Sequence, residues 1–405
     1  MNWRRNLWTL ALAVMLSGSS YTMVIPFLPL YLLDIGASPD NVNMWSGLVF
    51  SSTFLVAAVL APYWGRCADR SGRRRMVMRA GFSLAVVYFL GAFVRNPVEL
   101  LIVRLLQGFA NGFVPAAMSI VATSAPKEHL GFSLGIMQTT LLIGGIIGPL
   151  FGGTLSHIFG MRLSFVIAAV IIFCGTVMVG RLVIEPETNP ESQEGSIMDD
   201  LKTAFANHRL MQMLFLLFAV QAVAMVLQPL IALYVAELQG SIEGVALTAG
   251  IIYSLAGIAG AIAAPQWGRL GQRQGFAKIL VIAFAGAGIF NLAQFWAENI
   301  IEFSVLQFLY GLFVVGVFPA INTIAVSCTD ANSQGRVFGL TTTANQFGSM
   351  TGPLIGGALS SWLGIKAVFL FTGSMLLLLG GLVLFNRFHR DAPGNCRPAS
   401  DVSNE

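Results

Sequence analysis

Charge is scarce in this sequence. Only 10% of its 405 residues are Asp, Glu, Lys or Arg, whereas 56% are hydrophobic, and the mean hydropathy is +0.75. A soluble domain carries about 25% charged residues, so this composition excludes an ordinary water-soluble fold. The few charges are also clustered, which leaves long uncharged stretches such as 6–33, 210–236 and 303–329.

The uncharged and weakly charged stretches have the length of membrane helices. A bilayer is crossed by about 20 apolar residues in a helix, whereas barrel strands are short and alternate apolar with polar residues. The stretches lie at 6–33, 41–65, 76–94, 100–123, 130–156, 163–184, 210–236, 244–268, 279–297, 303–329, 337–365 and 367–386. The sequence therefore predicts an all-α membrane protein of twelve transmembrane helices.

Residues for catalysis and metal binding are also few. The four cysteines, Cys67, Cys174, Cys328 and Cys396, have no metal or disulfide spacing. The four histidines lie in polar segments or near predicted membrane ends, and no phosphate-binding Walker loop occurs. We therefore expect neither an enzyme nor a metal site, a cofactor or ATP as the energy source.

Basic residues predict the orientation. If the N-terminus is cytoplasmic and twelve spans alternate, 19 of the 23 Lys and Arg residues fall in cytoplasmic segments or at the cytoplasmic ends of spans, and three fall in external loops. Such an excess of basic residues marks the cytoplasmic side, so both termini are predicted to be cytoplasmic. The net charge of +4 then reflects membrane topology, and no nucleic-acid partner is expected.

The chain repeats itself at an offset of about 203 residues. Residues 62–66, PYWGR, recur as PQWGR at 265–269, and the glycine and proline pattern of 144–153 recurs at 348–357. The predicted domains are a six-helix half at 1–184, an acidic linker at 185–209, a second six-helix half at 210–386 and a tail at 387–405. Parallel repeats of this kind place a substrate site between the halves near the bilayer midplane.

Three motifs resemble those of the major facilitator superfamily. They are GRCADRSGRRR at 65–75, RLLQG at 104–108 and the Gly-Pro pattern at 144–153, and the last is similar to the motif of its drug:proton antiporters. Residues 2–7, 26–31 and 43–51 also resemble a group of bacterial multidrug-resistance transporters. The resemblance implies the major facilitator fold, a bacterial inner-membrane location and proton-coupled efflux of drugs or other small amphipathic compounds. A same-fold importer or facilitator of a metabolite or sugar is the alternative.

The first motif follows the second predicted span. The resemblance implies that Asp69, Gly65, Gly72 and Arg73 form a latch between the halves when the cytoplasmic side is closed. The two glycines are expected to allow turn conformations that a side chain disfavours. Gln272 replaces the aspartate in the second half, so the latch would be asymmetric. A basic loop that serves only topology is the alternative.

Arg104 lies inside the fourth predicted span. A charge there costs about 2.5–3.5 kcal/mol on insertion scales and normally marks a transport pathway. Its fixed charge would favour proton release from a nearby carboxylic acid. The alternative is that the side chain extends to the external interface.

The proton carrier is less defined, because no carboxylate lies at mid-span. Asp34 and Glu237, related by the repeat, end the first and seventh spans, and Asp69 is a third candidate. The first two could equally be ordinary interfacial acids, since charge is cheap at span ends.

The Gly-Pro pattern predicts close packing. Gly144, Gly148 and Gly152 lie four residues apart and line one helix face, where a neighbouring backbone can approach. Pro149 favours a kink, and with Gly153 the pattern indicates a gate on span 5. Simple helix packing explains the glycines equally well.

The resemblance also implies which spans line the cavity, namely the first, fourth, seventh and tenth. Candidate substrate contacts are Tyr21, Asn111, Gln221, Gln228, Gln307, Tyr310 and Asn322. Each could instead serve inter-helix hydrogen bonding. The expected partners are a small-molecule substrate, protons and the lipid bilayer, and the chain is expected to be a monomer.

Overall fold

The computed structural model describes residues 3–185, 208–327 and 334–388, and every regular element in them is a helix. The first half contains α1 Trp3–Met23, α2 Leu28–Asp34, α3 Val42–Ser71, α4 Arg73–Gly91, α5 Pro97–Ala110, α6 Phe113–Ser124, α7 Leu130–Phe159 and α8 Met161–Leu182. The second contains α9 His208–Val226, α10 Ile231–Gln239, α11 Val245–Gln274, α12 Phe276–Ala293, α13 Ile300–Val314, α14 Val317–Ser327, α15 Gln334–Leu363 and α16 Ile365–Phe388.

The sixteen α-helices of the described ranges correspond to the twelve predicted segments, since four of those segments are each divided into two helices. Breaks separate α1 from α2, α5 from α6, α9 from α10 and α13 from α14, which are the first, fourth, seventh and tenth segments. α1 and α2 are bent by 47°. Breaks within transmembrane helices are tolerated where the freed backbone groups are buried in protein or line a cavity.

Length and composition identify most, though not all, of the membrane crossings. Within the described residues nine stretches qualify, and α1 joined to α2 makes a tenth. α4 does not qualify, since it opens with Arg73, Arg74 and Arg75, and α15 is rich in Thr, Gln and Ser. Both nevertheless pack inside the bundle, α4 on α8 and α15 on α3 and α9. The all-α membrane fold is confirmed, and the crossing by these two helices stays a prediction.

The repeat extends to individual buried side chains. Tyr31 donates a hydrogen bond to the carbonyl of Gly91 over 3.1 Å, and Tyr234 donates to the repeat-related carbonyl of Gln294 over 3.4 Å. Each hydroxyl thus ties the end of the broken first segment of its half to the third segment. The two halves are therefore built on one plan.

The basic motif at 65–75 is helical over most of its length. α3 continues to Ser71, and the turn comes only at Gly72, whose φ is +96°. The expectation that Gly65 provides a turn is wrong. The reason is that nothing between Gly65 and Ser71 disfavours a helix strongly enough to end it, and the aqueous layer beyond the bilayer tolerates the arginines. The second half is alike, since α11 runs to Gln274 before Gly275 with φ +90°.

The chain leaving α8 is held by the first half. The Glu185 carboxylate accepts hydrogen bonds from the backbone N–H groups of Arg73 and Arg74, over 2.5 and 3.1 Å. The Asn6 side chain bonds both the carbonyl and the N–H of Ile184, over 2.7 and 3.1 Å. The first residue of the predicted linker therefore caps α4. The last two predicted linker residues, 208 and 209, instead belong to α9, and residues 186–207 lie outside the described ranges.

This cap predicts a stability effect. Glu185→Ala removes a negative charge from the N-terminal end of α4 and leaves two N–H groups without their acceptor, so the free energy of unfolding should fall by about 0.5–2 kcal/mol. Thermal unfolding of the purified protein in detergent measures this as a lower Tm. Glu128→Ala, which removes an exposed acid from the same predicted side, is the control, and an equal Tm for both variants would contradict the cap.

Candidate functional site

The two halves touch through two repeat-related backbone contacts at the predicted external end. α7 packs on α11, and α3 packs on α15. A Cβ atom added to any of four glycines would collide with a carbonyl oxygen of the other half: Gly153 with Ala246, Gly250 with Pro149, Gly47 with Pro353, and Gly357 with Asn43. Ser254 of α11 also donates a hydrogen bond to the carbonyl of Ile146 of α7 over 2.6 Å.

The other glycines of the pattern face into their own half. A Cβ on Gly144 would lie 2.6 Å from the carbonyl oxygen of Met15, and Cβ atoms on Gly148 and Gly152 would lie still closer to atoms of α1. Gly348, Gly352 and Gly356 meet α9 in the same way. The pattern on α7 therefore makes two kinds of contact. Gly144, Gly148 and Gly152 pack against α1 of the same half, while Pro149 and Gly153 contact the opposite half. α7 continues without interruption through Pro149.

A first cavity, of about 140 Å³, lies within the first half. Its lining includes Tyr21, Tyr88, Gln107 and Asn111 among mostly apolar neighbours. We call it the tyrosine cavity. It contains two of the seven candidate substrate residues, Tyr21 and Asn111.

A second cavity, of about 290 Å³, lies between the halves toward the predicted cytoplasmic end. Its lining includes Trp64, Arg79 and Asn111 from the first half and Thr342 and Gln346 from α15. We call it the interface cavity. Asn111 lines both cavities, so the α5–α6 break lies where they adjoin.

Arg104 is buried beside the tyrosine cavity, with 5% of its surface exposed. Its guanidinium donates to the side-chain oxygen of Gln107 over 2.7 Å, and Gln107 donates to the hydroxyl of Tyr88 over 3.0 Å. The guanidinium carbon is 5.9 Å from the centre of the Phe50 ring. This burial argues against an extension to the external interface.

The candidate proton carriers lie elsewhere. Asp34 and Glu237 are exposed at the ends of α2 and α10, and the backbone of Asp69 lies in the last turns of α3, while its side chain is outside the described part of the structure. Within the described ranges no carboxylate contacts Arg104. The acid that this charge was expected to influence is therefore not seen next to it.

The second-half candidates do not line either cavity. Gln307, at the repeat position of Arg104, is buried and its side-chain oxygen has no partner. Tyr310 belongs to the apolar core of that half. Gln221 donates to the hydroxyl of Ser349 over 2.9 Å, and the backbone oxygen of Gln228 accepts from Tyr253. Asn322 lies on α14, and its side chain is not described.

Arg79 is a residue that sequence reasoning missed. A charge count treats it only as one of the basic residues near the cytoplasmic side, yet it reaches the α5–α6 break, where it donates to the carbonyls of Phe109 and Asn111, each over 3.0 Å. Its guanidinium carbon stacks 3.5 Å from the centre of the Trp64 ring. A comparison of the two halves distinguishes Arg79 from the other basic residues, since the residue at its repeat position is the apolar Ile282.

The charged side chains described at the two cavities are all positive. A guanidinium lies beside each cavity, and their described lining contains tyrosine, amide and hydroxyl groups but no carboxylate. Desolvated charges interact strongly because the surroundings polarise little. The described lining therefore adds positive charge to the site and no negative charge.

Comparisons with known proteins bear on the family and the fold. The model of the Major Facilitator Superfamily matches residues 10–263 and 213–400. The multidrug resistance protein MdtG of Escherichia coli, from strain K12 among others, is 35% identical over 390 residues, which covers 95% of this chain and 93% of that protein.

Solved transporters share the fold at low identity. A mutant of the nucleoside transporter NupG has a TM-score of 0.81 at 14% identity and covers 94% of this chain and 99% of its own. A bacterial homologue of the human lysosomal transporter Spinster, in an inward-facing conformation, has a TM-score of 0.78 at 16% identity and covers 98% of this chain and 99% of its own. The human organic anion transporter MFSD10 has a TM-score of 0.68 at 19% identity and covers 95% of this chain and 100% of its own.

Proposed function

The chain belongs to the major facilitator superfamily, and we propose that it exports drugs or other small amphipathic compounds in exchange for protons by alternating access. The protein is a multi-pass membrane transporter by family and composition. Its relation to a multidrug resistance protein supports drug-like substrates. We further propose an inner-membrane monomer with both termini in the cytoplasm.

One observation carries the proposal of alternating access. The halves are in backbone contact at the predicted external end, whereas the interface cavity lies between them toward the predicted cytoplasmic end. Rocking the halves about the cavity would break the four glycine contacts and close the opposite side. The Gly-Pro pattern then acts as an external gate, and Asp69, Gly72 and Arg73 contribute to the cytoplasmic one.

The lining suits amphipathic compounds. Ligand sites are mostly apolar with a few polar groups that set orientation, and both cavities fit this description. Tyr21 and Asn111 are the substrate contacts that the cavities support. We propose that the second-half candidates Gln307 and Tyr310 act when the halves move, since they lie at the repeat positions of Arg104 and Gln107.

Proton coupling requires an acid that binds and releases the proton. Asp34, Glu237 and Asp69 remain the proposed carriers, and Arg104 would assist release from one of them in another conformation. The absence of a carboxylate from the described cavity lining favours a second candidate function, a facilitator or importer of a small metabolite that does not use protons. The two functions differ in one measurable property, which is dependence on the proton gradient.

Transport into everted vesicles tests the proposal. The vesicles contain the purified chain and carry an imposed proton gradient. Three aromatic probes of different charge are added: neutral N-phenylnaphthylamine, anionic anilinonaphthalene sulfonate and cationic tetraphenylphosphonium. We expect uptake of the neutral or anionic probe that stops on addition of an uncoupler, and little uptake of the cation, because the cavities carry guanidinium groups. Vesicles without the chain are the control.

Two results would contradict the proposal in different ways. Uptake that ignores the uncoupler and stops at equal concentrations would replace exchange by facilitated diffusion. Preferential uptake of tetraphenylphosphonium would contradict the electrostatic argument and indicate that the acids outside the described lining dominate the pathway.

A further inference from the structure

The breaks in the fourth and tenth segments expose backbone carbonyls. Where a helix ends, its last carbonyl oxygens lose their partners in the next turn and need others. α5 ends at Ala110, with Gly112 at φ +118° before α6 begins, and α13 ends at Val314 before α14. Phe109 and Leu312 occupy repeat-related positions just before these two breaks.

In the second half a tryptophan supplies the partner. The indole N–H of Trp267 donates to the carbonyl of Leu312 over 2.7 Å. A Cβ on Gly316 would lie 2.9 Å from the indole ring, so the glycine allows the ring to lie on the break. Trp267 belongs to the PQWGR copy of the repeated motif.

In the first half an arginine has taken over this function. Trp64 is the repeat partner of Trp267, but its indole N–H is buried and has no hydrogen-bond partner. The carbonyl of Phe109 instead accepts from Arg79, whose second amino group bonds the carbonyl of Asn111. Trp64 remains beside the break as the surface on which the guanidinium stacks.

We propose that Arg79 is a positioning residue for transport, which holds the α5–α6 break and so fixes Asn111 between the two cavities. The assignment of the cavities to substrate rests on the proposed function. Trp64 is a reserve donor that can take the carbonyl of Phe109 when Arg79 is absent, as Trp267 takes that of Leu312. The two halves therefore stabilise equivalent breaks by different chemistry, charged in one and neutral in the other.

Arginine suits this position better than lysine. Its planar group offers several donors in a fixed fork and stacks on an aromatic face, whereas the lysine ammonium is a compact charge on a flexible stem. Two carbonyls and one ring are engaged at once here. Arg79→Lys should keep one hydrogen bond and lose the fork.

A double-mutant cycle tests the proposal. The variants are Trp64→Phe, Arg79→Ile, which copies the repeat residue Ile282, and both together. The first readout is hydrogen–deuterium exchange of the backbone amides of residues 108–116 in the purified chain, which measures local opening of the break. Residues 311–318 of the second half are the internal reference.

We expect little change in Trp64→Phe, since its N–H makes no bond. The exchange rate at 108–116 should rise about fivefold in Arg79→Ile relative to the parent chain. It should rise about a further tenfold in the double variant, because only there is the Phe109 carbonyl left without any donor. Arg79→Lys should give an intermediate rate. Arg75→Gln, which removes an exposed arginine one turn earlier in α4, should match the parent chain.

The second readout is transport of the probe that the vesicle assay identifies. Misplacement of Asn111 should raise KM in Arg79→Ile by about five- to tenfold with a smaller change in maximal rate, whereas a purely structural role would lower the amount of active protein and leave KM unchanged. Unchanged exchange at 108–116 in Arg79→Ile, or an equal effect of Trp64→Phe in both backgrounds, would overturn the proposal. Failure of proton-driven transport would contradict the proposed function alone, because exchange at the break needs no substrate.

Discussion

Gly153→Ala is expected to lower the transport rate about 5- to 150-fold. The added Cβ would collide with the carbonyl oxygen of Ala246 in the opposite half. A backbone carbonyl cannot turn aside as the end of a side chain can, so the externally closed arrangement should lose about 1–3 kcal/mol relative to the open one. That energy shifts a two-state equilibrium by the stated factor.

Vesicle uptake of the identified probe measures this effect, and the same helix provides the control. A Cβ on Gly145 has no heavy atom within 4 Å, so Gly145→Ala should transport at the parent rate. The repeat-related Gly357→Ala, whose Cβ would lie 2.7 Å from the carbonyl oxygen of Asn43, should reproduce the loss. Equal rates for Gly153→Ala and Gly145→Ala would show that the contact between the halves does not gate transport.

Arg104→Met is expected to abolish most transport while making the protein more stable. A buried guanidinium without a carboxylate partner costs several kcal/mol, and an apolar side chain of similar length avoids that cost. The hydrogen bond to Gln107 is lost in exchange, at about 1–3 kcal/mol. The net result should be a higher Tm. Loss of the charge beside the tyrosine cavity should lower transport about 10- to 150-fold, which corresponds to one charged hydrogen bond.

The opposite signs of the two effects make this prediction specific. Tm in detergent and uptake in vesicles are measured on the same preparation. Arg95→Gln removes an exposed arginine at the predicted external end and should change neither quantity. A lower Tm together with normal transport in Arg104→Met would mean that the arginine serves only the packing of α5.

Hydropathy and the internal repeat were sufficient for the fold class and the two-half plan. A backbone inside lipid must satisfy its own hydrogen bonds, so a long apolar run can only be a helix. A repeat of about 203 residues then implies two equivalent halves. The limits of prediction appear at the helix ends, since α3 runs past Gly65 to Ser71 where hydropathy alone would end it.

Part of the candidate site was also accessible from the sequence. A charge inside an apolar run is costly wherever it lies, so Arg104 is conspicuous without any structure, and the spacing of Gly144, Gly148 and Gly152 defines one helix face. Which helix that face meets cannot be read in the same way. It depends on contacts between segments more than 100 residues apart, such as Gly153 with Ala246.

The contacts of Arg79 could not be inferred without the packing of the helices. The positive-inside rule accounts for any arginine near a cytoplasmic end, so Arg75 and Arg79 are equivalent in a charge count. The fold separates them: Arg75 is exposed, and Arg79 bonds two carbonyls of a break that lies 30 residues further along the chain. The helices, the two halves and the cost of each buried charge follow from the amino-acid sequence, because apolar runs, the repeat and in-span charges can all be read from it. The partners of each charge and each glycine depend on how the helices pack, and that was decided by the tertiary structure alone.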